Sequence, residues 1–423
     1  MSQHYDICIQ GSGIVGRTLA LLLARERLRV ALVSAPPPVS AKEDVRAYAL
    51  NAASRQLLES LRAWPDAAHA TPVVGMQVQG DAKGASQGVV NFSAADQGVA
   101  ALAWIVDVLA LEAQLAQAVK FQPLIEVIEA TSASVDSSPS DTVSTHSQIV
   151  GLGIRADLTV ICEGKNSVSR NQLAVEFDVT PYHQRAIAAR LTADVPHGGI
   201  ARQWFTGAES QGEILAFLPL SDGMEAPFAA NTAINSANSE PSGNSVALVW
   251  SVSAERAKSL MDLSADDFAA AVALASGLAL GEMQLYSERA TWPLQLARAN
   301  HWVGVDAALG SWALAGDAAH TVHPLSGQGL NLGLADVAEL AKVLGGKDYW
   351  RPVGDMKLLR RYERARKLDV LALSTVTDGL QQLFARGSEA EKTPWQLLRN
   401  LGMQGFERSG GLKHWVTKRA MGL

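Results

Sequence analysis

Apolar residues near the start of the chain change their spacing twice, and each change marks a new element of secondary structure. Residues Tyr5–Ile9 form a short, mostly apolar run that is typical of a buried strand. From Ile14 to Arg27 the apolar residues recur at helical spacing, and Arg29–Val33 again has the pattern of a strand. Because a glycine-rich turn separates the first strand from the helix, residues 4–34 predict one βαβ unit.

Further along the chain, the pattern predicts a mixture of helices and strands. Asn51 is placed to cap the start of a helix, and helices are also predicted at Asp107–Val119 and Gln328–Leu344. The strands between residues 185 and 252 indicate a separate sheet that is able to cover a ligand. The predicted strands after the βαβ unit are 122–129, 158–162, 186–191, 200–205, 214–218, 246–252 and 312–315.

Two polar stretches interrupt these elements. Residues Thr131–Gln148 are rich in Ser, Thr and Asp and predict an exposed loop, while Ser221–Ser245 predicts a flexible insertion. The chain beyond residue 350 is predicted to be mostly helical.

Composition and charge exclude several classes of protein. The chain has 423 residues, of which 48% are hydrophobic and 18% charged, so it predicts a soluble globular protein with more than one core. A formal net charge of −6 and the lack of a basic run interleaved with aromatic residues argue against a nucleic-acid partner. Neither a signal peptide nor a transmembrane stretch is predicted. Cys8 and Cys162 lie in apolar runs and predict buried thiols, as expected in a reducing cytoplasm.

The turn after the first strand has the spacing of a phosphate-binding loop. Gly11 permits the tight turn, Gly13 lets the backbone approach a pyrophosphate, and Gly16 allows the helix to lie close to the strand. The helix then directs unpaired N–H groups at the phosphates. An acidic residue normally follows about 20 positions later and binds a ribose hydroxyl. Here the second strand ends at Ser34, which weakens ribose recognition and argues against a selective NAD site.

A second cluster of glycine and polar residues follows the predicted strand 312–315. Asp317, after Gly316, can accept hydrogen bonds from the hydroxyls of a ribityl chain. Residues Gly327, Gly329 and Asn331 open a helix whose free N–H groups would face an anion. A flavin has both features, because its ribityl chain is polyhydroxylated and its reduced ring is an anion.

The run Gly316–Asp336 resembles the FAD-binding signature of class A flavoprotein aromatic hydroxylases, and within them it is similar to the ubiquinone-biosynthesis hydroxylases. The resemblance extends to the glycine-rich turn, to Arg46–Asn51 and to Ala156–Arg170, and it covers most of residues 4–345. The resemblance implies FAD as cofactor. It also implies that Arg46 contacts the cofactor near its flavin or pyrophosphate, that Asp317 holds the ribityl chain and that Pro324 borders the flavin ring.

One position departs from the family pattern. The family carries an Asp-Gly pair that serves both FAD and the nicotinamide donor, whereas this chain has Glu163–Gly164. The extra methylene displaces the carboxylate, so the resemblance leaves the reductant open between NAD(P)H and another electron donor.

The resemblance predicts an α/β fold in which a Rossmann-like FAD-binding domain carries an inserted β-sheet substrate domain and a helical C-terminus. The predicted FAD-binding domain is discontinuous and comprises residues 1–72, 100–182 and 286–350. Residues 73–99 and 183–285 would form the β-rich domain that covers the substrate, and 351–423 the C-terminal helical region.

No nucleophile elbow, metal cluster or paired-carboxylate motif appears, so the sequence predicts no catalytic or metal-binding side chain and the chemistry falls to the cofactor. The resemblance implies hydroxylation of an aromatic ring by molecular oxygen through a flavin C4a-hydroperoxide. The most specific substrate is a polyprenylated phenol of ubiquinone biosynthesis. Such a lipid-like substrate implies a cytoplasmic protein with peripheral contact at the inner membrane, for which Leu412–Met421 has a basic and aromatic character, and membership of a biosynthetic complex.

Other interpretations stay open at this point. The chain could hydroxylate a small soluble aromatic acid, or it could be a non-catalytic member of a quinone-biosynthesis complex. Arg46 could be an ordinary surface residue, and His320 is expected to bond the backbone rather than a metal ion. Three aromatic residues could either line a substrate pocket or pack within the sheet, namely Trp204, Phe205 and Phe217.

Overall fold

The computed structural model describes residues 3–35, 44–80, 89–130, 154–205, 212–221, 243–307, 309–322 and 328–385, with side chains up to residue 371. Three features predicted from the sequence lie outside these ranges, entirely or for the most part. They are the polar loop at 131–148, the insertion at 221–245 and the segment 412–421.

The first sheet contains the predicted βαβ unit and has six strands among the described residues. Its central strands run parallel, and only the edge pair β16 and β17 is antiparallel. In spatial order the strands are β16 (Val303–Asp306), β17 (Gly310–Leu314), β9 (Ile154–Ile161), β1 (Gln3–Gln10), β2 (Val30–Ser34) and β8 (Ile125–Glu129). Strands buried on both sides need continuous apolar runs, which explains why β1, β2 and β9 carry them.

Helices cover the faces of this sheet and surround the larger hydrophobic core. The helices near this sheet are α1 (Ile14–Arg25), α2 (Ala52–Ser60), α4 (Val108–Lys120), α5 (Val168–Gln172), α8 (Gln328–Gly345) and α9 (Met356–Ala385), while the short α3 (Ala94–Gln97) lies elsewhere. The helix after the glycine-rich turn, α1, contacts both α4 and α8, and α9 packs along α8. None of the described helices is apolar over a sufficient length to traverse a bilayer.

The second sheet is mainly antiparallel and has nine strands within the described ranges. In spatial order eight of them are β18 (His320–Thr321), β15 (Ala290–Ala299), β10 (Phe177–Ala193), β13 (Ser245–Ser253), β12 (Ile214–Pro219), β11 (Ile200–Phe205), β5 (Gly75–Gln79) and β6 (Val89–Ser93). The ninth, β14 (Met283–Leu285), pairs with β10. Because β18 pairs with β15 immediately after the Gly316–Asp317 turn, the edge of this sheet borders the predicted cofactor loop.

The two faces of the second sheet have different partners. Two helices, α6 (Ala254–Met261) and α7 (Ala265–Ala275), pack on one face and form a second core with Ile187, Leu248 and Trp250. Trp204 and Phe217 belong to this core, with ring centroids 5.0 Å apart in an edge-to-face arrangement. The structure therefore assigns these two aromatic residues to sheet packing rather than to a substrate pocket. Phe205 is buried on the opposite side of its strand.

That opposite face of the second sheet packs on a small three-stranded sheet made of β3 (Ala47–Leu50), β7 (Ala103–Asp107) and β4 (Ala70–Val73). A buried ion pair joins the two. Arg190 on β10 contacts the carboxylate of Asp107, and its Nε donates to the backbone oxygen of Val45 at 3.2 Å. Since Val45 precedes Arg46, the hydrogen bond from Arg190 to Val45 fixes the backbone from which the Arg46 side chain projects.

Helix starts follow the predicted capping chemistry. Asn51 caps α2 by accepting a hydrogen bond from the Ser54 amide at 2.9 Å, as predicted. Asp107 caps α4 in the same way through the Ala110 amide at 2.9 Å. The helix predicted at Asp107–Val119 therefore begins one residue later, because its first residue is the cap.

The predicted α/β class is confirmed, with a parallel Rossmann-like sheet, a large β-sheet and a C-terminal helix. Strand β10 is much longer than the predicted 186–191 and crosses position 182, while β15 lies wholly within 286–350. The large sheet thus includes residues on both sides of the predicted boundaries. The division of the chain into domains stays a prediction.

The Arg190–Asp107 pair allows a test of how the large sheet is joined to the small three-stranded sheet. Substituting Arg190→Met should lower the free energy of unfolding by about 3–5 kcal/mol, because it leaves a buried carboxylate without its cation. Urea denaturation of the apoprotein measures the change. Arg256→Met is the matched control, since Arg256 is 47% exposed and 3.7 Å from Glu213, and it should cost less than about 1 kcal/mol. Equal losses in the two variants would contradict a special role for the buried pair.

Candidate functional site

The glycine-rich turn between β1 and α1 has the geometry that its sequence predicts. Gly11 has a φ of +105°, and a Cβ there would lie 2.5 Å from the backbone oxygen of Cys162. A Cβ on Gly16 would lie 1.9 Å from the oxygen of Gly11, so the helix could not approach the turn. A Cβ on Gly13 would meet nothing within 4 Å. Gly11 and Gly16 are thus required by packing, whereas Gly13 borders open space in which a pyrophosphate can approach the backbone.

Ser34 lies at the end of β2, where dinucleotide-binding folds usually carry an acidic residue. Its hydroxyl is 2.7 Å from the hydroxyl of Ser12 in the glycine-rich turn. The turn is therefore linked to β2 by neutral groups.

The second cofactor turn lies directly beside the first. Gly316 follows β17 with a φ of +64°, and a Cβ there would be 3.3 Å from the side chain of Val15 in the first turn of α1. Gly333 of α8 approaches the same side chain, at 3.0 Å from an added Cβ. The structure therefore brings together the Gly11–Gly16 turn, the Gly316–Asp317 turn and α8, which are far apart in the sequence.

Asp317 occupies a recess rather than an open surface. Its side chain is accessible to solvent, yet burial by the surrounding protein raises the pKa of its carboxyl group above the usual value. The charges of His320 and Arg46 oppose this rise, which shows that Arg46 lies within electrostatic range of Asp317. An accessible carboxylate in a recess is a suitable acceptor for ligand hydroxyl groups.

Arg46 already has a partner in the protein. Its Nε donates to the Oδ1 atom of Asp44 at 2.8 Å, and these hydrogen bonds raise the pKa of the guanidinium. The side chain is 44% exposed and lies over the ring of Tyr48, with the Cζ atom 5.7 Å from the centroid. An exposed ion pair of this kind is compatible with an ordinary surface arginine as well as with a cofactor ligand, so the contact of Arg46 with the cofactor stays a prediction.

The start of α8 forms the third part of the site. A Cβ on Gly329 would meet nothing within 4 Å, so the first turn of the helix has open space beside it. The side chain of Asn331 is buried, and its Oδ1 accepts from the Asn51 amide at 2.9 Å and from the Ser54 hydroxyl at 2.7 Å. These bonds tie α8 to α2. Pro324 and Gly327, the other two residues predicted here, lie outside the described ranges.

Glu163 is directed at the start of α5. Its carboxylate accepts hydrogen bonds from the Ser167 hydroxyl at 2.7 Å, from the Ser169 amide at 2.9 Å and from the Ser169 hydroxyl at 2.7 Å. Arg170 of the same helix donates to the backbone oxygen of Ala318 at 3.3 Å. The Glu163–Arg170 segment therefore supports the Gly316–Asp317 turn from the side of β9.

Sequence analysis missed one buried charge cluster behind this turn. His320 was expected to bond the backbone, but its Nε2 lies 2.6 Å from the carboxylate of Asp336, which also pairs with Arg366 at 2.8 Å. The imidazole stacks on Trp302, with centroids 5.0 Å apart. A signal was present in the sequence, because Asp336 stands between Leu332 and Leu340 on the apolar stripe of α8.

These features together fit FAD. Gly13 leaves space for a pyrophosphate at the N-terminus of α1, Asp317 offers an acceptor for ribityl hydroxyls, and α8 begins beside both. Fold and site thus define a protein of the FAD-binding class. A family model described as FAD binding domain matches residues 4–375, and the chain belongs to this family.

Relatives narrow the class further. The 3-demethoxyubiquinol 3-hydroxylase of Escherichia coli (strain K12) is 29% identical over 427 residues, and the match covers 100% of both chains. Ubiquinone hydroxylase UbiL of Rhodospirillum rubrum is also 29% identical, over 99% of this chain and 89% of the relative. These matches confirm the similarity to ubiquinone-biosynthesis hydroxylases that the sequence predicts.

The fold also occurs in solved structures. The p-nitrophenol 4-monooxygenase PnpA of Pseudomonas putida DLL-E4 superposes with a TM-score of 0.66 at 16% identity, covering 100% of this chain and 99% of that one. At this level of identity the likeness shows the fold alone.

The two glycines of the first turn should respond differently to alanine. Gly16→Ala should prevent correct folding, because its Cβ would overlap the Gly11 oxygen. Gly13→Ala should fold normally and lose FAD affinity by at least tenfold, because its methyl group would occupy the space beside the turn. Circular dichroism and titration of the apoprotein with FAD measure the two effects. Unchanged FAD affinity in Gly13→Ala would place the pyrophosphate elsewhere.

Asp317→Asn should change stability and FAD affinity in opposite directions. Because the folded protein raises the pKa of Asp317, the stabilisation associated with its proton is present at low pH and lost as the pH rises through the raised pKa. At neutral pH the neutral amide should therefore make the apoprotein more stable. FAD affinity should fall, since a hydrogen bond to a charged group contributes about 1.5–3 kcal/mol.

Thermal unfolding of the apoprotein and FAD titration, both at neutral pH, measure these changes. The control is Asp178→Asn, because Asp178 is exposed on β10 and should alter neither quantity. FAD affinity equal to that of the unmodified protein would show that another group holds the ribityl chain.

Proposed function

We propose that this protein is an FAD-dependent monooxygenase that hydroxylates the aromatic ring of a polyprenylated phenol in ubiquinone biosynthesis. The proposal depends on one observation. Gly316 of the second glycine turn lies close to the side chain of Val15 in the first turn, and both turns lie at the edge of a large, mostly apolar sheet. The names of the relatives from Escherichia coli and Rhodospirillum rubrum support ubiquinone biosynthesis as the context.

The residues proposed to bind the cofactor divide into the three parts of the site. The first turn would bind the pyrophosphate, the second turn the ribityl chain, and the start of α8 the flavin ring. The proposed cofactor-binding residues are Gly11, Gly13, Gly16, Arg46, Gly316, Asp317, Pro324, Gly327, Gly329 and Asn331. For Asn331 the proposed role is indirect, since its side-chain oxygen is already bonded to α2 and its surroundings.

The face of the large sheet opposite α6 and α7 suits an apolar aromatic substrate. Near β15, alternation places Ala186 and Ala188 of β10 and Ser251 of β13 on this face, and such small side chains would let an aromatic ring approach the sheet. Trp292 on β15 is half-buried, pairs in register with Ala186 and offers an aromatic surface on this face. Farther along the sheet, Ala201 and Ala247 pack against the small three-stranded sheet.

The roles of the protein in the reaction follow from these placements. Bound FAD supplies two-electron redox chemistry and the activation of molecular oxygen. Asp317 would orient the ribityl chain, and the N–H groups in the first turn of α8 would stabilise negative charge on the reduced ring. The apolar sheet face would exclude water, because solvent access would let the reduced oxygen leave as hydrogen peroxide before it reaches the aromatic ring.

The electron donor forms part of the proposal. We infer that NAD(P)H or another external donor reduces the flavin, with no nicotinamide contact from Glu163. The support is that the carboxylate of Glu163 already accepts three hydrogen bonds at the start of α5. Rapid mixing of the anaerobic flavoprotein with NADH, with NADPH and with a reduced ferredoxin distinguishes the donors by the rate of flavin bleaching.

The proposed substrate also indicates where the protein would act. A polyprenylated phenol resides in a lipid phase, so the protein would act as a peripheral protein at the inner membrane and within a biosynthetic complex.

Oxygen labelling tests the reaction. Reduced flavoprotein should receive ¹⁸O₂ together with a short-chain prenylphenol, and the product should be analysed by mass. We expect one labelled oxygen atom in the ring, because the second atom leaves as water. The control uses unlabelled oxygen in H₂¹⁸O and should give an unlabelled ring.

Label found only in hydrogen peroxide with every prenylphenol would contradict the proposed substrate. Labelled hydroxylation of a small aromatic acid in the same assay would assign the protein to the soluble-acid hydroxylases. Folded protein that binds no FAD under any condition would instead indicate a non-catalytic member of a complex.

A further inference from the structure

The C-terminal helix α9 contacts the first, parallel sheet at the end of β17. The hydroxyl of Tyr362 donates to the backbone oxygen of Leu314 at 2.8 Å, and Lys367 Nζ donates to the oxygen of Asn300 at 2.6 Å. Glu363 accepts from the Trp302 amide at 2.9 Å. Tyr362 of α9 therefore lies against the end of β17, two residues before Gly316.

Asp336 of α8 is the group that connects this helix to the turn. Its side chain is fully buried, and Oδ2 accepts from the Gly316 amide at 2.9 Å and pairs with His320 Nε2 at 2.6 Å. Its other oxygen, Oδ1, accepts from Arg366 Nε at 2.8 Å. One carboxylate therefore holds both ends of the segment Gly316–His320, which contains Asp317.

Arg366 is the arginine that neutralises this carboxylate. Burial alone would raise the pKa of Asp336, but the charges and hydrogen bonds of His320 and Arg366 lower it below its usual value. Arg366 is itself buried, and its other donors bond Asp369 at 2.6 Å and the oxygen of Leu332 at 3.4 Å. These partners all belong to the protein, so Arg366 acts on the site indirectly, through the carboxylate of Asp336 and the backbone of α8.

We propose that Arg366 is a positioning residue for the FAD site, which fixes the Gly316–Asp317 turn by holding the buried carboxylate of Asp336. The proposal rests on the proposed role of Asp317 toward the ribityl chain. Gly316 has a positive φ, and its amide is bound to Asp336, so the direction in which Asp317 points depends on that hydrogen bond. The C-terminal helix thereby contributes to the cofactor site through the Arg366–Asp336 pair.

The test compares three substitutions on one helix. Arg366→Met removes the charge but roughly keeps the length of the side chain, whereas Arg366→Lys retains the charge. Arg364→Met is the control. Arg364 is exposed and contacts only the backbone oxygen of Arg360 among its described hydrogen bonds. FAD affinity is measured by titrating each apoprotein under conditions in which circular dichroism shows it to be fully folded.

We expect Arg366→Met to weaken FAD binding on the order of 10- to 100-fold, the range found when a residue that orients a ligand-binding group is lost. Arg366→Lys should recover most of that loss, and Arg364→Met should not differ from the unmodified protein. Hydrogen exchange of the Gly316–Ala319 amides in the apoprotein should be faster in Arg366→Met alone. General destabilisation would instead raise exchange throughout the core without rescue of FAD affinity by lysine.

The double variant Asp336→Asn with Arg366→Met keeps the test decisive if Arg366→Met does not fold. It removes both charges together, so no unpaired ion stays buried, and it should fold while retaining the weak FAD binding and fast exchange. Normal FAD affinity with normal exchange of the turn in the folded variants would overturn the proposal. Faster exchange with normal FAD affinity, together with normal affinity in Asp317→Asn, would overturn the role of Asp317 instead.

Discussion

Close contacts at Val15 determine how the two glycine turns and α8 are arranged. The side chain stands in the first turn of α1 and touches Gly316 and Gly333, where any added Cβ would lie only 3.0–3.3 Å away. One turn earlier, Gly11 is pressed against the Cys162 backbone. The two glycine turns can therefore lie side by side only because Gly11, Gly316 and Gly333 lack side chains at these contacts. An elongated ligand such as FAD would need this proximity in order to occupy both turns at once.

The two faces of the large sheet pack against different parts of the protein. Ile187, Leu248 and Trp250 point into the core beneath α6 and α7, where large side chains fill the space. On the other face, β10 carries the small residues Ala186 and Ala188 beside the buried Arg190. The pairing of Arg190 with Asp107 and an apolar cluster around Val73 and Ile105 together secure this face to the small sheet.

Two carboxylates near the second turn have opposite electrostatic environments. Asp336 is enclosed by His320 and Arg366, which keep it ionised and make it a fixed support. Asp317 is only a short distance along the turn, but burial raises its pKa because its cationic neighbours compensate less. A supporting residue gains from complete pairing within the protein. A ligand-binding residue must keep unused hydrogen-bonding capacity, which costs the apoprotein stability.

The sequence by itself determined the βαβ unit, the glycine turns and the family. These are local signals, since Gly11, Gly13 and Gly16 act within one turn and apolar periodicity acts within one element. It also indicated Asp317 as a residue near the cofactor. Strand β10 was predicted too short, because its first half has exposed side chains and is held by β15 rather than by its own apolar residues. Only the tertiary structure decided the partners of Asp336 and Arg190. Asp336 and Arg366 are 30 positions apart and Asp107 and Arg190 are 83 apart, so their contacts depend on how whole helices and sheets pack.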